Sequence, residues 1–222
     1  MKRPLFHILA DLLYPPRCLF CGEPVPLRGG CTAACSKAAD AARLAPDERT
    51  RSAPNLQQLS GLVCSFRYDD VIAESVARYK FRGYGQHRFP MAQYLAADVK
   101  EAAFYPAIDA VTWVPSWQSE SRHGMLLAKE TARLLQLPAM QLLVKTRKTQ
   151  KQHKLGHAER AKNLVGAFAV PAVSAVKGKH ILIVDDVLTT GSTLSACADA
   201  LLAAGAASVS AAAFSRAEGQ SK

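Results

Sequence analysis

From residue 62 onward, apolar positions follow two alternating spacings. Short, nearly continuous apolar runs are typical of buried strands, and they lie at 62–68, 110–114, 180–184 and 208–214. Apolar residues at helical spacing predict helices at 69–79, 90–103, 126–137 and 192–204. Because strands that alternate with helices build parallel sheets covered by helices, the pattern predicts an α/β domain.

The first sixty residues have a different composition. They hold four of the six cysteines and are rich in proline. The stretch 43–55 is polar and has no clear period, which favours a linker or connecting loop. We therefore expect a small N-terminal module with its linker at 1–55 and the α/β domain at 56–222.

Composition limits the class of protein. Of the 222 residues, 49% are hydrophobic and 21% are charged, which is typical of a globular protein and excludes a disordered tail. No apolar run approaches the ~18 residues that a membrane span needs. The chain start resembles a signal peptide only superficially, because His7 and Asp11 interrupt it and no small-residue cleavage site follows. We expect a cytoplasmic protein.

The positive charge is concentrated in one stretch. The chain carries a net charge of +10, and the segment 145–162 is strongly basic with Glu159 as its single acid. Such a segment attracts phosphates, whether of a nucleotide, a sugar phosphate or a nucleic acid. A solvated basic loop is the alternative interpretation.

The residues after the 180–184 strand carry the strongest chemical signal. Asp185 and Asp186 follow it directly, at the end of a parallel strand where ligands bind. The next turn opens a helix, where N–H groups and the helix dipole favour a phosphate; it comprises Thr189, Thr190, Gly191, Ser192 and Thr193. Acids can accept hydrogen bonds from hydroxyl groups, and the neighbouring turn can bind a phosphate. Together they suit a ribose 5-phosphate. Ordinary capping would explain Asp186 or Ser192 but not the whole set.

The clustered cysteines predict a metal site. Cys18 and Cys21 form one close pair, and Cys31 and Cys35 form a second pair nine residues later. Four thiolates at paired spacing suit a structural Zn²⁺ site, and the metal would help to fold a module that has few large apolar residues. A disulfide scaffold would require a secreted protein, and unliganded thiols are the other alternative.

The acid-and-hydroxyl segment resembles the fingerprint of type I phosphoribosyltransferases, which bind phosphoribosyl pyrophosphate (PRPP). Other segments are similar to the ComF family, and together they span nearly the whole chain: the four-cysteine start, Lys80–Gly83, Val114–Pro115, and Gln152, Leu155, Arg160, Asn163 and Phe168. The resemblance implies a type I phosphoribosyltransferase-like parallel sheet flanked by helices, with a small N-terminal four-cysteine zinc-ribbon-like module. It also implies PRPP bound with Mg²⁺.

The resemblance also implies roles for individual residues. Asp185 and Asp186 would contact the ribose, Thr189–Thr193 the 5-phosphate, and Lys80 the ligand, although a cation at a helix end also suits the helix dipole by itself. The basic segment matches the flexible catalytic loop of the family fold, where residues would close over the pyrophosphate, here Arg147, Gln152 and Arg160.

One segment departs from the family pattern. After Val114–Pro115 the family usually has an arginine-rich run that ends in Arg-Gly-Phe-Asn-Gln, whereas this chain has a shorter Ser-Arg-His-Gly-Met-Leu-Leu at 121–127. Because this loop faces the pyrophosphate in phosphoribosyltransferases, the change affects the expectation of turnover more than that of ribose-phosphate binding.

Three functions remain open from the sequence. The first is a phosphoribosyltransferase of the ComF type that uses an unidentified acceptor, with the family role in DNA uptake during natural transformation. The second is a non-catalytic PRPP sensor or a competence factor that binds single-stranded DNA or the DNA-uptake machinery. The third is a nucleotide-salvage phosphoribosyltransferase. A P-loop NTPase is disfavoured, because no Walker motif precedes the strand end at Asp185.

Overall fold

A computed structural model describes residues 15, 17–25, 33–50, 56–117, 122–148, 164 and 166–217. The helices of this part of the chain are α1 (Ala33–Ala42), α2 (Pro46–Arg49), α3 (Asp70–Phe81), α4 (Arg88–Glu101), α5 (His123–Leu135) and α6 (Ser192–Ala203). The strands are β1 (Gly61–Arg67), β2 (Ala110–Trp113), β3 (Val144–Lys145), β4 (Phe168–Ala169), β5 (His180–Leu188) and β6 (Ser208–Arg216).

The main sheet is parallel, as the alternating pattern predicts. Its strand order is β1-β6-β5-β2, so β5 lies inside the sheet between β6 and β2. The short strands β3 and β4 pair separately in an antiparallel ribbon. All four predicted strands and all four predicted helices are present in this α/β architecture.

The two faces of the sheet bury separate cores, because successive side chains of a strand point to opposite faces. One face carries Leu182 and Val184 and is covered by α3, α4 and α5. The other face carries Ile181 and Ile183 and packs against α6. The main domain is thus a sheet between two helical layers.

The strand predicted at 180–184 is longer than its apolar run indicates. Strand β5 continues to Leu188, because β6 pairs with it as far as the Leu188–Arg216 register. The prediction that Asp185 and Asp186 lie after the strand is therefore wrong, and both acids belong to its carboxyl-terminal part. Backbone pairing with a long neighbour extends the strand across polar positions.

The described part of the predicted linker, 43–50, is packed against the main domain. It contains α2, and Arg43 lies over the rings of Phe66 and Tyr94, with its guanidinium carbon 4.9 and 5.1 Å from their centroids. Arg43 and Arg49 both form ion pairs with Asp98 of α4. The described part of the predicted linker is thus held on the main domain by two arginines that meet a carboxylate about fifty residues away in the sequence.

We expect Asp98→Asn to lower the free energy of unfolding by roughly 3 kcal/mol, because it leaves two arginines facing a neutral group in a largely buried site. The Asp98 side chain is only 2% exposed, and it also accepts a hydrogen bond from Ser65 Oγ at 2.5 Å. Urea denaturation measures the change. The control is Arg82→Gln, which breaks an exposed pair with Glu74 and should cost less than ~1 kcal/mol. Equal losses in both variants would contradict a supporting role for Asp98.

Candidate functional site

A cleft of about 540 Å³ opens at the carboxyl ends of β2 and β5. Beyond Trp113, the chain of β2 leaves the sheet while β5 continues, so the end of β5 is exposed on this side. The cleft is lined by Lys80, Trp113, Val114, Pro115, Ser116, Arg122, His123, Gly124, Met125, Gln141, Asp185 and Asp186. This is the edge of a parallel sheet at which ligands bind.

The two acids leave opposite faces of β5, yet both line the cleft. Asp186 meets Lys80 of α3 on the face of Val184, and the charge of Asp185 acts on the thiol of Cys197 of α6 on the face of Ile183. The backbone N–H of Asp186 donates to Asp185 Oδ1 at 2.9 Å. The carboxylates therefore form one polar surface at the end of a strand whose preceding residues are apolar.

Lys80 meets this surface from the last turn of α3. Its Nζ lies 2.6 Å from Asp186 Oδ1, in a pair that is only partly accessible to solvent. Burial lowers the pKa of Lys80, but the charge of Asp186, its hydrogen bond and the charge of Asp185 outweigh burial and raise the pKa above its usual value. Lys80 therefore remains a cation beside the acids, and its position does more than complement the dipole of α3.

Asp185 has a strongly altered affinity for protons. Burial disfavours its charged form and the neighbouring Asp186 adds repulsion, so that its pKa rises from 3.8 to about 7 in spite of Lys80. Titratable groups with such shifts occur frequently at functional sites.

The hydroxyl-rich turn lies directly after β5, as predicted, but it does not belong to the described lining of the cleft. Gly191 adopts φ +78°, and a Cβ at this position would lie 3.0 Å from Leu56 Cγ, so glycine is required by both conformation and space. Thr190 Oγ1 and Ser192 Oγ are 3.0 Å apart at the first turn of α6. The turn from Thr189 to Thr193 therefore presents hydroxyl groups at a helix start.

Part of the segment that departs from the family pattern lines the same cleft as the acids. Arg122, His123 and Gly124 line the cleft at the start of α5, which begins three residues before the predicted helix. Gln141 also lines the cleft, and sequence analysis missed it because no motif or period marks the stretch after Pro138. Arg147 follows β3 and is not in the described lining, whereas Gln152 and Arg160 lie outside the described residues.

A second cluster of chemical groups lies in the N-terminal region. The sulfur atoms of Cys18, Cys21 and Cys35 all lie within 4.8 Å of one another, and Cys18 Sγ is 3.5 Å from Cys35 Sγ. Sulfur atoms at the corners of a tetrahedron around Zn²⁺ are roughly 3.8 Å apart, given Zn–S bonds of ~2.3 Å. The three thiols fit a metal in both chemistry and spacing. Cys31 lies outside the described residues.

The turn that carries the first two cysteines has the conformation that such a site needs. The Phe20 backbone N–H points at Cys18 Sγ at 3.3 Å, and Gly22 closes the turn with φ +78°. The turn also contacts α3, because Arg78 Nη1 donates to the Phe20 carbonyl at 2.9 Å. The cysteine cluster therefore rests on the same helix end that carries Lys80.

Cys64 and Cys197 are separate from this cluster. Both are fully buried in the core, as their apolar segments predict. Burial raises the pKa of Cys64 to about 11 and also raises that of Cys197, so both remain thiols at neutral pH.

The altered pKa of Asp185 predicts a pH-dependent stability. Between pH ~4 and ~7 the folded protein keeps a proton that the unfolded chain has released, so wild-type stability falls as the pH rises through this window. Asp185→Asn removes this titration. Relative to the wild type, we expect the variant to gain on the order of 1 kcal/mol or more between these pH values, as measured by urea unfolding. Parallel pH profiles of the two proteins would contradict the assignment.

No helix in the described part of the chain is both long and apolar enough to cross a membrane.

One family model and several solved structures are similar to this chain. Residues 121–222 match the family model of the phosphoribosyl transferase domain. The glutamine PRPP amidotransferase of B. subtilis has a TM-score of 0.40 and 24% identity, covering 57% of this chain and 25% of that chain. A purine phosphoribosyltransferase from Pyrococcus horikoshii has a TM-score of 0.39 and 19% identity, covering 58% and 73%. Both TM-scores are too low to carry an argument.

Curated relatives place the chain in a family. The DNA utilization protein YhgH of Escherichia coli K12 is 39% identical over 107 residues, so the match spans about half the length of either chain, 46% of each. The YhgH protein of Salmonella typhi is 32% identical over 157 residues, which cover 67% of this chain and 68% of the relative. The chain therefore belongs to the family of the DNA utilization protein YhgH, the ComF family indicated by its motifs, and it carries a phosphoribosyltransferase domain.

Proposed function

We propose that this protein binds PRPP with Mg²⁺ at the cleft and transfers its phosphoribosyl group to an acceptor, with release of pyrophosphate. The observation that carries the proposal is the acid pair at the end of β5, held by Lys80 inside a phosphoribosyltransferase domain. The hydroxyl-rich turn follows the acids along the same chain.

Each part of the site suits one part of PRPP. Asp185 and Asp186 accept hydrogen bonds from the ribose hydroxyls, and the turn Thr189–Thr193 holds the 5-phosphate through its N–H and hydroxyl groups at the start of α6. Negative groups near a phosphate would repel it, so the acids are directed at the neutral end of the sugar. The ammonium group of Lys80 forms an ion pair with Asp186 beside the sugar site.

The reaction requires charge stabilisation more than a nucleophile from the protein. The bond from C1 of the ribose to pyrophosphate breaks, its electron pair leaves with the pyrophosphate, and the acceptor forms a new bond to C1 through an oxocarbenium-like state while losing a proton to solvent. Arg122 lines the cleft at the start of α5, and its cation would stabilise the negative charge that develops on the leaving group. Arg147 and Arg160 of the basic segment would close over the leaving group.

Asp185 and Asp186 would hold Mg²⁺ together with the substrate, and the ion would supply positive charge that neutralises the leaving group. The carboxylate chemistry of Asp185 and Asp186 fits such a cation, since Mg²⁺ prefers oxygen ligands. The residues that hold the ribose thereby also remain close to the metal-bound substrate.

We further propose that Cys18, Cys21, Cys31 and Cys35 hold a structural Zn²⁺. The spacing of the three described sulfur atoms supports this, and the metal would fix the turn that rests on Arg78.

A second candidate function is the handling of single-stranded DNA, which requires neither binding nor turnover of PRPP. Trp117 favours this function. It follows Ser116, which lines the cleft, and 48% of its surface is exposed, so that an unpaired base could stack on its ring. The net charge of +10 and the name of the relatives, DNA utilization protein, agree with a phosphate-rich partner.

The proposed site predicts the outcome of a calorimetric titration with PRPP and Mg²⁺. We expect binding by the wild-type protein and a loss of at least tenfold in affinity for the double variant Asp185→Asn/Asp186→Asn, because neutral amides lose the charge-assisted hydrogen bonds to the ribose. The matched control is Asp109→Asn. Asp109 accepts a hydrogen bond from the backbone N–H of His180, at the opposite end of β5.

The outcomes separate the two candidate functions. Unchanged affinity in the double variant would overturn the assignment of the acids. Absence of binding by the folded, zinc-loaded wild type would overturn the PRPP proposal and leave the DNA-handling function as the leading one.

The zinc proposal predicts about one Zn²⁺ per chain in protein purified without chelators. Cys18→Ser should lose most of this metal, because a neutral hydroxyl replaces a thiolate ligand. Elemental analysis measures the stoichiometry. Cys197→Ala, which changes a cysteine buried against the sheet, should retain the metal, and equal metal content in the two variants would contradict the assignment.

A further inference from the structure

Tyr79 links two walls of the cleft but does not line it. It lies on α3 beside Lys80 and is fully buried. Its hydroxyl donates a hydrogen bond to the carbonyl oxygen of His123 at 2.6 Å, and the two rings meet edge to face with centroids 5.1 Å apart. The spacing of apolar residues in α3 predicts that Tyr79 is a core residue, but it does not predict this hydrogen bond.

The partner of Tyr79 is the start of α5. We name Arg122–Gly124 the entry segment, because the chain enters α5 there and these residues line the same cleft as the acids. The N-cap residue Arg122 makes no side-chain capping hydrogen bond. Without a capping side chain, the position of the first turn depends more on contacts from other elements. The hydroxyl of Tyr79 provides such a contact.

The same turn of α3 also contacts the acid pair. Lys80, the next residue, pairs with Asp186 at 2.6 Å. Two adjacent residues of one rigid helix therefore contact the acid pair and the entry segment. The distance between the acid pair and the entry segment depends on α3, and Tyr79 is its polar contact to the entry segment.

The hydroxyl of Tyr79 remains a hydrogen-bond donor throughout the neutral range. Burial disfavours its ionisation, and the nearby charge of Asp186 adds to this, so the pKa of Tyr79 lies well above its usual value. A protonated hydroxyl can donate to a carbonyl, whereas a phenolate could not.

We propose that Tyr79 is a positioning residue that holds the entry segment at the distance from the acid pair that suits the diphosphate of PRPP. The proposal rests on the proposed function, since it assumes that the ribose lies at the acids and the pyrophosphate at the entry segment. Tyr79 touches neither ligand group. Its effect should therefore concern the diphosphate and leave ribose 5-phosphate binding unchanged.

The test compares two ligands on two matched variants. Tyr79→Phe removes the hydroxyl and keeps the ring. Tyr105→Phe removes a similar hydrogen bond at the other end of α5, where the Tyr105 hydroxyl donates to the Leu135 carbonyl at 3.1 Å. Calorimetry with PRPP and Mg²⁺, and separately with ribose 5-phosphate, measures the affinities.

We expect Tyr79→Phe to weaken PRPP binding about threefold to tenfold, the range for one lost hydrogen bond, and to change ribose 5-phosphate binding less than twofold. Tyr105→Phe should change neither affinity. Equal weakening of both ligands in Tyr79→Phe would indicate a general structural role and overturn the proposal. Unchanged affinity for both ligands would overturn it as well.

A second measurement separates failure of this proposal from failure of the proposed function. Amide hydrogen exchange of Leu126 and Leu127 reports how firmly the first turn of α5 is held, with or without ligand. Faster exchange in Tyr79→Phe but not in Tyr105→Phe would support the positioning contact even if the wild type binds no PRPP. Equal exchange in both variants would overturn the contact itself, whatever the ligand.

Discussion

Two adjacent carboxylates at the end of a buried strand are the constraint on which this cleft depends. Asp185 and Asp186 would repel each other if both were ionised without compensation in a site that excludes much of the water. Lys80 compensates Asp186 through a direct ion pair, and the raised pKa of Asp185 reduces the remaining charge near neutrality. The charges of the acid pair and Lys80 are thereby close to balanced, and a ligand that brings hydroxyl donors or a cation can change this balance.

The last turn of α3 distributes this constraint through the molecule. Three consecutive residues contact three different parts: Arg78 the turn of the cysteine cluster, Tyr79 the start of α5, and Lys80 the acid on β5. Because successive residues of a helix point about 100° apart, one turn can reach three surroundings at once. The cysteine module and the cleft are therefore built on a shared support.

Much of this architecture is predictable from the sequence, and the exceptions have physical causes. Spacing predicts the strands and helices, and the acids with their hydroxyl-rich turn stand out because several unusual residue types occur together. The contact of Arg43 and Arg49 with Asp98 could not be predicted, since long-range ion pairs leave no periodic pattern. Gln141 was missed because it lies in an irregular stretch. The hydrogen bond of the Tyr79 hydroxyl was missed because the spacing of this residue indicates only a core position.

The two acids of β5 meet different helical layers: Asp186 pairs with Lys80 of α3, and the charge of Asp185 acts on the Cys197 thiol of α6. A molecule that engages both carboxylates would therefore be connected to both helical layers at once. Because such a molecule would bind the folded domain and not the unfolded chain, its binding would stabilise both layers together. The concentration of the ligand would then set how much the free energy of unfolding of the whole domain rises.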